Sequence, residues 1–241
     1  MNYFLSYGCE NLCKFPCICL VFIFYFGTPV KAQTAEEVIT QVRTKIEKVK
    51  DYIAQGKLKT NVAFIKAPVA HVKIYFREPN KIRIQNVSGI SFIPKGFINI
   101  NLDNVFTDIS SYDLIDVGRD KNSGLRIIKL LPLNDTSEVV LATLYIDDTK
   151  MLIKKAQTTT RDNGTYELQM TYGKYANYSL ADKIIFTFNT KDYKLPKGIT
   201  FDYDDGSLKD KKNKLSEKKG KVEIDYSNYV INQGVPDSVF Q

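Results

Sequence analysis

The sequence predicts a mainly β (α+β) protein: one amphipathic helix followed by a largely antiparallel sheet in a single exported domain. Three observations carry this. Hydrophobic residues switch from a helical period to strict alternation near Lys57. The connections that follow are short and rich in turn residues, and no alternation of strands with helices occurs that would build a parallel α/β sheet.

The first element is a leader. Lys14 precedes an apolar run from Cys17 to Gly27, too short for the roughly 20 residues a membrane-spanning helix needs. Pro29 breaks the run, and Val30-Lys31-Ala32 places small residues at the positions a signal peptidase reads, so residues 1–32 are expected to be removed before Gln33. Cys9, Cys13, Cys17 and Cys19 all precede that site, and none follows it directly, as lipidation would require. The mature chain, 33–241, therefore holds no thiol for disulfides, thiolate catalysis or zinc.

The full chain carries 34 Lys and Arg against 27 Asp and Glu. Without Lys14, Lys31 and Glu10 the mature balance is 32 against 26, a net charge of +6. The cations are spread along alternating strands rather than interleaved with aromatics in a stripe, which argues against nucleic acid and for an anionic membrane surface or an acidic partner.

Thr34-Ala35-Glu36-Glu37 has the form of a capping box, and Val38, Val42, Ile46, Val49 and Ile53 recur at intervals of three or four. This spacing predicts a helix of about six turns, closed at Gly56. Beyond it, Leu58, Thr60, Val62 and Phe64 share one side of a strand, and Ala70, Val72, Ile74 and Phe76 share one side of the next. Further strands are expected at 81–88, 125–133, 139–146, 151–161, 165–175, 183–190, 199–203 and 222–231, with a short helix possible within 101–112. Pro79-Asn80, Asp147 to Lys150 and Asn163-Gly164 supply hairpin turns. Several strands, including Val139 to Ala142, are apolar on both sides, so the sheet must curl over itself or hold an apolar ligand. The segment 204–221, with seven lysines and four acids, reads as a mobile loop.

Residues for chemistry are sparse. His71 is the only histidine and shares a strand side with Lys73 and Tyr75 rather than with a nucleophile. Asp202, Asp204 and Gly206 fall short of a calcium loop, and no phosphate-binding glycine motif is present. No catalytic set, metal or cofactor is implied. Asn86, Asn134, Asn163 and Asn177 head glycosylation sequons, which matter only in a host that uses them.

The order of elements resembles the lipoprotein-carrier family, LolA and LolB with their outer-membrane lipoprotein-sorting relatives. The resemblance spans most of the mature chain. It rests on the opening helix, on the turn Phe76-Arg77-Glu78-Pro79-Asn80-Lys81-Ile82-Arg83, and on Tyr112 to Gly118 followed by Gly124 and Leu130-Leu131-Pro132. The closing Val235-Pro236-Asp237-Ser238-Val239-Phe240 is similar to the family's usual ending. The resemblance implies a curved half-barrel sheet with helical lid elements over a hydrophobic cavity that receives acyl chains. On that reading Phe64, Ile74, Phe76, Ile82, Ile84, Phe186 and Phe188 line the lipid site, and Arg77 contacts the lid. LolA-type carriers place an arginine directly before the turn proline, where this chain has Glu78. The implied function is a periplasmic carrier of lipid or lipoprotein, with a non-transporting envelope sensor of the same fold as the alternative, and not an enzyme. The implied partners are an acylated lipoprotein or other lipid, and transient contacts with a membrane or membrane-bound donor and acceptor proteins. A monomer is expected.

Overall fold

The structure, a computed structural model, describes residues 33–62, 65–66, 69–79, 81–89, 109–162, 164–189 and 219–241. The expected leader, Phe64, the expected strand at 199–203 and the lysine-rich stretch up to residue 218 lie outside these residues.

Helix α1 (Ala35–Ile46) opens as the sequence requires. The Thr34 hydroxyl accepts from the Glu37 amide at 3.2 Å, and the Glu37 carboxylate accepts from the Thr34 amide at 3.0 Å. Two of the helix's four orphan amide-end groups are thus provided for at its start. Ala35, Val38, Ile39 and Val42 are its buried stripe.

The helix is shorter than its hydrophobic period suggested. It stops at Ile46, and Tyr52 and Ile53 belong to strand β1 (Asp51–Val62) instead. The reason is tertiary. β1 is paired on both sides, with β3 (Ala70–Arg77) and with β11 (Lys219–Ile231), so residues from Asp51 onward gain two ladders where a helix would give them one. Gly56 does not cap a helix. It sits at a register shift against β11, where a Cβ would meet the Asp225 carbonyl oxygen at 3.0 Å.

The remaining strands are β2 (Ile65–Lys66), β4 (Lys81–Ser88), β5 (Tyr112–Arg119), β6 (Arg126–Pro132), β7 (Val139–Asp147), β8 (Leu152–Thr160), β9 (Gly164–Thr171) and β10 (Lys183–Asn189). With β3 and β11, eight of the strands expected from the sequence are found within a few residues of their predicted bounds. β5 is an addition, since only Ile109–Ser111 of the possible helix within 101–112 is described as helical, a single 3₁₀ turn, and Tyr112 begins a strand. Its alternation is obscured by Val117, the extra residue of a bulge between Asp116 and Gly118.

All pairings are antiparallel, in the order β4-β3-β1-β11-β10-β9-β8-β7-β6-β5, with β2 beside β1. The sheet is open: β4 and β5 are its two edges, and the connection after Gly89 joins one edge to the other.

Register divides the sheet into two faces. One continuous row runs Thr60, Val222, Phe186, Leu168, Ala156, Leu144 and Ile128, one residue from each of seven adjacent strands, and all are buried. The next row, Phe188, Tyr166, Thr158, Ala142 and Leu130, is buried as well. Residues adjacent to them in sequence, such as Lys221, Glu223, Glu167, Lys155 and Lys129, stand on the opposite face. Helix α1 joins the apolar side, its buried stripe packing into the same core. Arg126 secures its start by donating to the Gln33 carbonyl at 2.6 Å and to Asp116 at 2.5 Å.

Candidate functional site

The sequence-predicted lipid residues that the structure describes all stand on the apolar face. Ile74 pairs with Ile84, and Phe76 with Ile82, across β3 and β4. Phe186 and Phe188 are two residues apart on β10, their rings stacked with centroids 5.3 Å apart. Ile74, Phe76, Phe186 and Phe188 are buried, whereas Ile82 and Ile84 on the edge strand are half-buried.

The face does not bring them into one cluster. β1 and β11 separate the two groups. In addition, Ile74 faces Ala54 on β1 while the Phe186 row begins at Thr60, six residues on, a displacement of roughly 20 Å along the strands. Phe76 lies at the other end of the face, in an aromatic cluster the sequence reading missed. Its ring stacks on Tyr52 at 5.2 Å, Tyr52 meets Tyr229 edge-on at 5.4 Å, and Tyr229 contacts Tyr226 at 5.1 Å and Tyr175 at 4.9 Å. The Tyr229 hydroxyl donates to the Ala181 carbonyl at 2.7 Å, and burial pushes its pKa upward. Tyr172 is likewise raised by burial and donates to the Ile153 carbonyl at 2.8 Å. These hydroxyls are fixed neutral donors, not bases. The only signal for the cluster was the recurrence of tyrosine near both chain ends of the sheet.

Phe186 and Phe188 have a different setting. Tyr166 stacks on Phe186 at 5.6 Å, and Phe188 lies over Gly220, the residue opposite it on β11. With Leu168, Val222, Leu144 and Ile128 around them, this end of the face is wholly apolar apart from threonines.

Arg77 points to the other face, opposite Asp51 and Lys81. There it holds the chain's closing segment: it donates to the Val235 carbonyl at 2.9 Å, forms an ion pair with Asp237, and stands 5.3 Å from the Phe240 ring. Lys81 also pairs with Asp237 at 3.0 Å, and Arg83 donates to the Val239 carbonyl at 2.7 Å and to the Gln241 carbonyl. The Arg77 guanidinium and the Lys81 ammonium hold the Asp237 carboxyl below the usual carboxylate range. Glu78, at the position before the proline, pairs with Lys50 at 3.0 Å. Beside the tail, Lys81, Ile82, Arg83, Asp237, Phe240 and Gln241 line an open cleft of about 640 Å³. Among the described residues, no group of three or more His, Asp or Glu could hold a metal ion.

An open antiparallel sheet with one apolar face and a short helix before it is a fold that this chain shares with several solved structures. A putative outer-membrane lipoprotein-sorting protein domain from Vibrio parahaemolyticus superposes with a TM-score of 0.54 at 11% identity, covering 86% of this chain and 97% of the other. A LolA superfamily protein from Nitrosomonas europaea gives 0.52 at 10% identity, covering 87% and 98%. A DUF1329 family protein from Desulfovibrio piger gives 0.52 at 12% identity, with the same 87% and 98% coverage. At these identities the likeness is one of fold. No family model matches the sequence, and no curated protein matches it.

Proposed function

We propose that the protein is a periplasmic carrier that binds lipid or the acyl chains of a lipoprotein on the apolar face of its sheet and shields them during transfer to the outer membrane. The observation that carries this reading is the apolar face itself. It extends without a charged side chain from Thr60 on β1 to Ile128 on β6, on a sheet whose edges are open rather than closed into a barrel. The solved structures of like fold support it, two of them being described as lipoprotein-sorting or LolA superfamily proteins.

The chain would be exported by its leader, 1–32, and act as one mature domain, 33–241, without a cofactor or catalytic step. Phe186 and Phe188 would meet the acyl chain at one end, and Ile74, Phe76, Ile82 and Ile84 at the other; Phe64, which lies outside the described residues, is proposed as a further contact from the sequence alone. Burial of each methylene is worth about 0.8 kcal/mol, so a ten-carbon stretch offers on the order of 8 kcal/mol before immobilisation costs. Arg77 holds the tail against β3 and β4 on the opposite face.

A fluorescent fatty acid tests the reading. The mature protein should bind it and release it to unlabelled lipoprotein acyl chains. Ile84→Asp, at a half-buried edge position that tolerates a charge better than the fully buried Phe186, should weaken binding at least tenfold while the protein still melts cooperatively. Unchanged affinity in folded Ile84→Asp and Phe186→Leu variants would remove this face from lipid binding. Cross-linking in the native envelope separates carrier from sensor: a carrier is trapped with many lipoproteins, a sensor with one signalling partner.

A further inference from the structure

β1, β3 and β4 form one wing of the sheet. Apart from Asp51 at the start of β1, these three strands contain no carboxylate, the only other one being Glu78 in the β3–β4 turn, yet they carry Lys57, Lys59, Lys73, Arg77, Lys81 and Arg83. The register puts these cations on the charged face, with Lys57 opposite His71, Lys73 opposite Gln55 and Arg83 opposite Tyr75.

On β8 to β11 several of the charges on this face are cancelled locally. Lys155 pairs with Glu167 at 3.3 Å, Lys221 with Glu223 at 3.1 Å, and Lys183 with Asp225 at 3.2 Å. Arg77, Lys81 and Arg83 are engaged by the closing segment. Lys57, Lys59 and Lys73 are left. Lys57 stands opposite Asp225 and Lys59 opposite Glu223 on β11, but these carboxylates are held by Lys183 and Lys221, Lys73 faces only Gln55 and Gln85, and none of the three lysines forms an ion pair among the described residues. Lys57 and Lys59 are exposed, and Lys73 lies 5.3 Å from the Tyr75 ring. At the adjoining end of β3 and β4, Val69 and Val87 are 49% and 67% exposed.

We infer that the patch formed by Lys57, Lys59 and Lys73 docks the protein on the headgroup surface of an anionic phospholipid bilayer. The chemistry favours a bilayer over an acidic protein. Lysines are compact point charges without the planar fork that selects a particular carboxylate, and here they are arrayed on adjacent strands, suited to a plane of phosphates. The aromatic and arginine anchors that dominate protein interfaces are absent from the patch, since Tyr75 is buried and the arginines are taken by the tail. Val69 and Val87 add small aliphatic contacts at the same border. Each lysine at such a surface strengthens binding about fivefold, and the attraction decays over about 8 Å at physiological salt, so docking is reversible. The inference does not depend on acyl-chain binding, which uses the opposite face.

The test is co-sedimentation of the mature protein with vesicles of phosphatidylcholine alone or mixed with phosphatidylglycerol. Wild type should bind only the mixed vesicles and lose binding as salt is raised. The Lys57→Gln, Lys59→Gln, Lys73→Gln triple variant should bind about 100-fold more weakly. Its melting temperature and fatty-acid affinity should match wild type, which keeps this result separate from the fate of the carrier reading. The Lys209→Gln, Lys211→Gln, Lys212→Gln, Lys214→Gln variant should retain most of the binding. Equal binding to both vesicle types, or a triple variant that sediments like wild type, would overturn the inference. So would loss of binding only in the 209–214 variant, or capture by immobilised polyglutamate without binding to mixed vesicles, which would assign the patch to an acidic protein.

Discussion

Phe188 on β10 lies directly over Gly220 on β11, so closely that a Cβ at the glycine would stand 2.4 Å from the ring's Cζ atom. The glycine is what lets the ring lie flat against the sheet. Gly220→Ala must therefore push the ring or the strands apart, at a cost of about 1–3 kcal/mol. Phe188→Ala should cost about 3–5 kcal/mol, because the ring is 2% exposed. The double variant should lose clearly less than the two single losses combined, since the ring that clashes is gone. Urea denaturation of the four proteins measures this coupling; strict additivity would mean the two residues do not share the space.

Asp237 ties pH to the closing segment. Its pKa is held below the ordinary 3.8 by Arg77 and Lys81. A carboxyl whose folded pKa is depressed contributes stability that is full above its unfolded value and is lost as pH falls through the folded one. Hydrogen exchange of amides 235–241 should thus show protection that is constant above the ordinary carboxylate pKa and collapses in strong acid, while the β-sheet ladder remains protected. In Asp237→Asn the tail should exchange faster at neutral pH and lose this pH dependence.

Helix α1 depends on two polar supports at its start. Removing the cap in Thr34→Ala should cost about 1 kcal/mol. Arg126 is 11% exposed at its side chain and serves both Asp116 and the Gln33 carbonyl, so Arg126→Ala should cost about 2 kcal/mol by stranding a charge-assisted bond. The Arg126 hydrogen bond also holds the Asp116 carboxyl below its ordinary pKa of 3.8, so this support is present above that value and weakens in acid. Thermal melts of both variants check the order of the two effects, and a larger loss from Thr34→Ala would show that the helix is held chiefly by its own cap.

Export is checked by mass. Protein recovered from its native host should begin at Gln33, in a soluble envelope fraction. An intact mass that includes residues 1–32, found with membranes, would replace the cleaved leader with an anchor.

The alternation of Ala70, Val72, Ile74 and Phe76, the hairpin turn at Asp147 to Lys150 and the capping box at Thr34 were legible because each rests on contacts within a few residues. Local pattern therefore determined that the protein is an antiparallel sheet with one N-terminal helix, and which side of most strands is apolar. It did not determine where the helix ends, because Tyr52 and Ile53 satisfy a helical period and a strand period alike. Only pairing with β3 and β11, more than 15 and 160 residues away, decides between them. Nor could it show that Ile74 and Phe186 stand at different ends of one face, that Tyr52, Tyr175 and Tyr226 gather around Tyr229, or that Arg77 grips Asp237. Those relations depend on strand order and register, which are set by the whole sheet at once; a sequence carries the side-chain period, but the partner opposite each residue exists only after the chain has closed its long-range ladders.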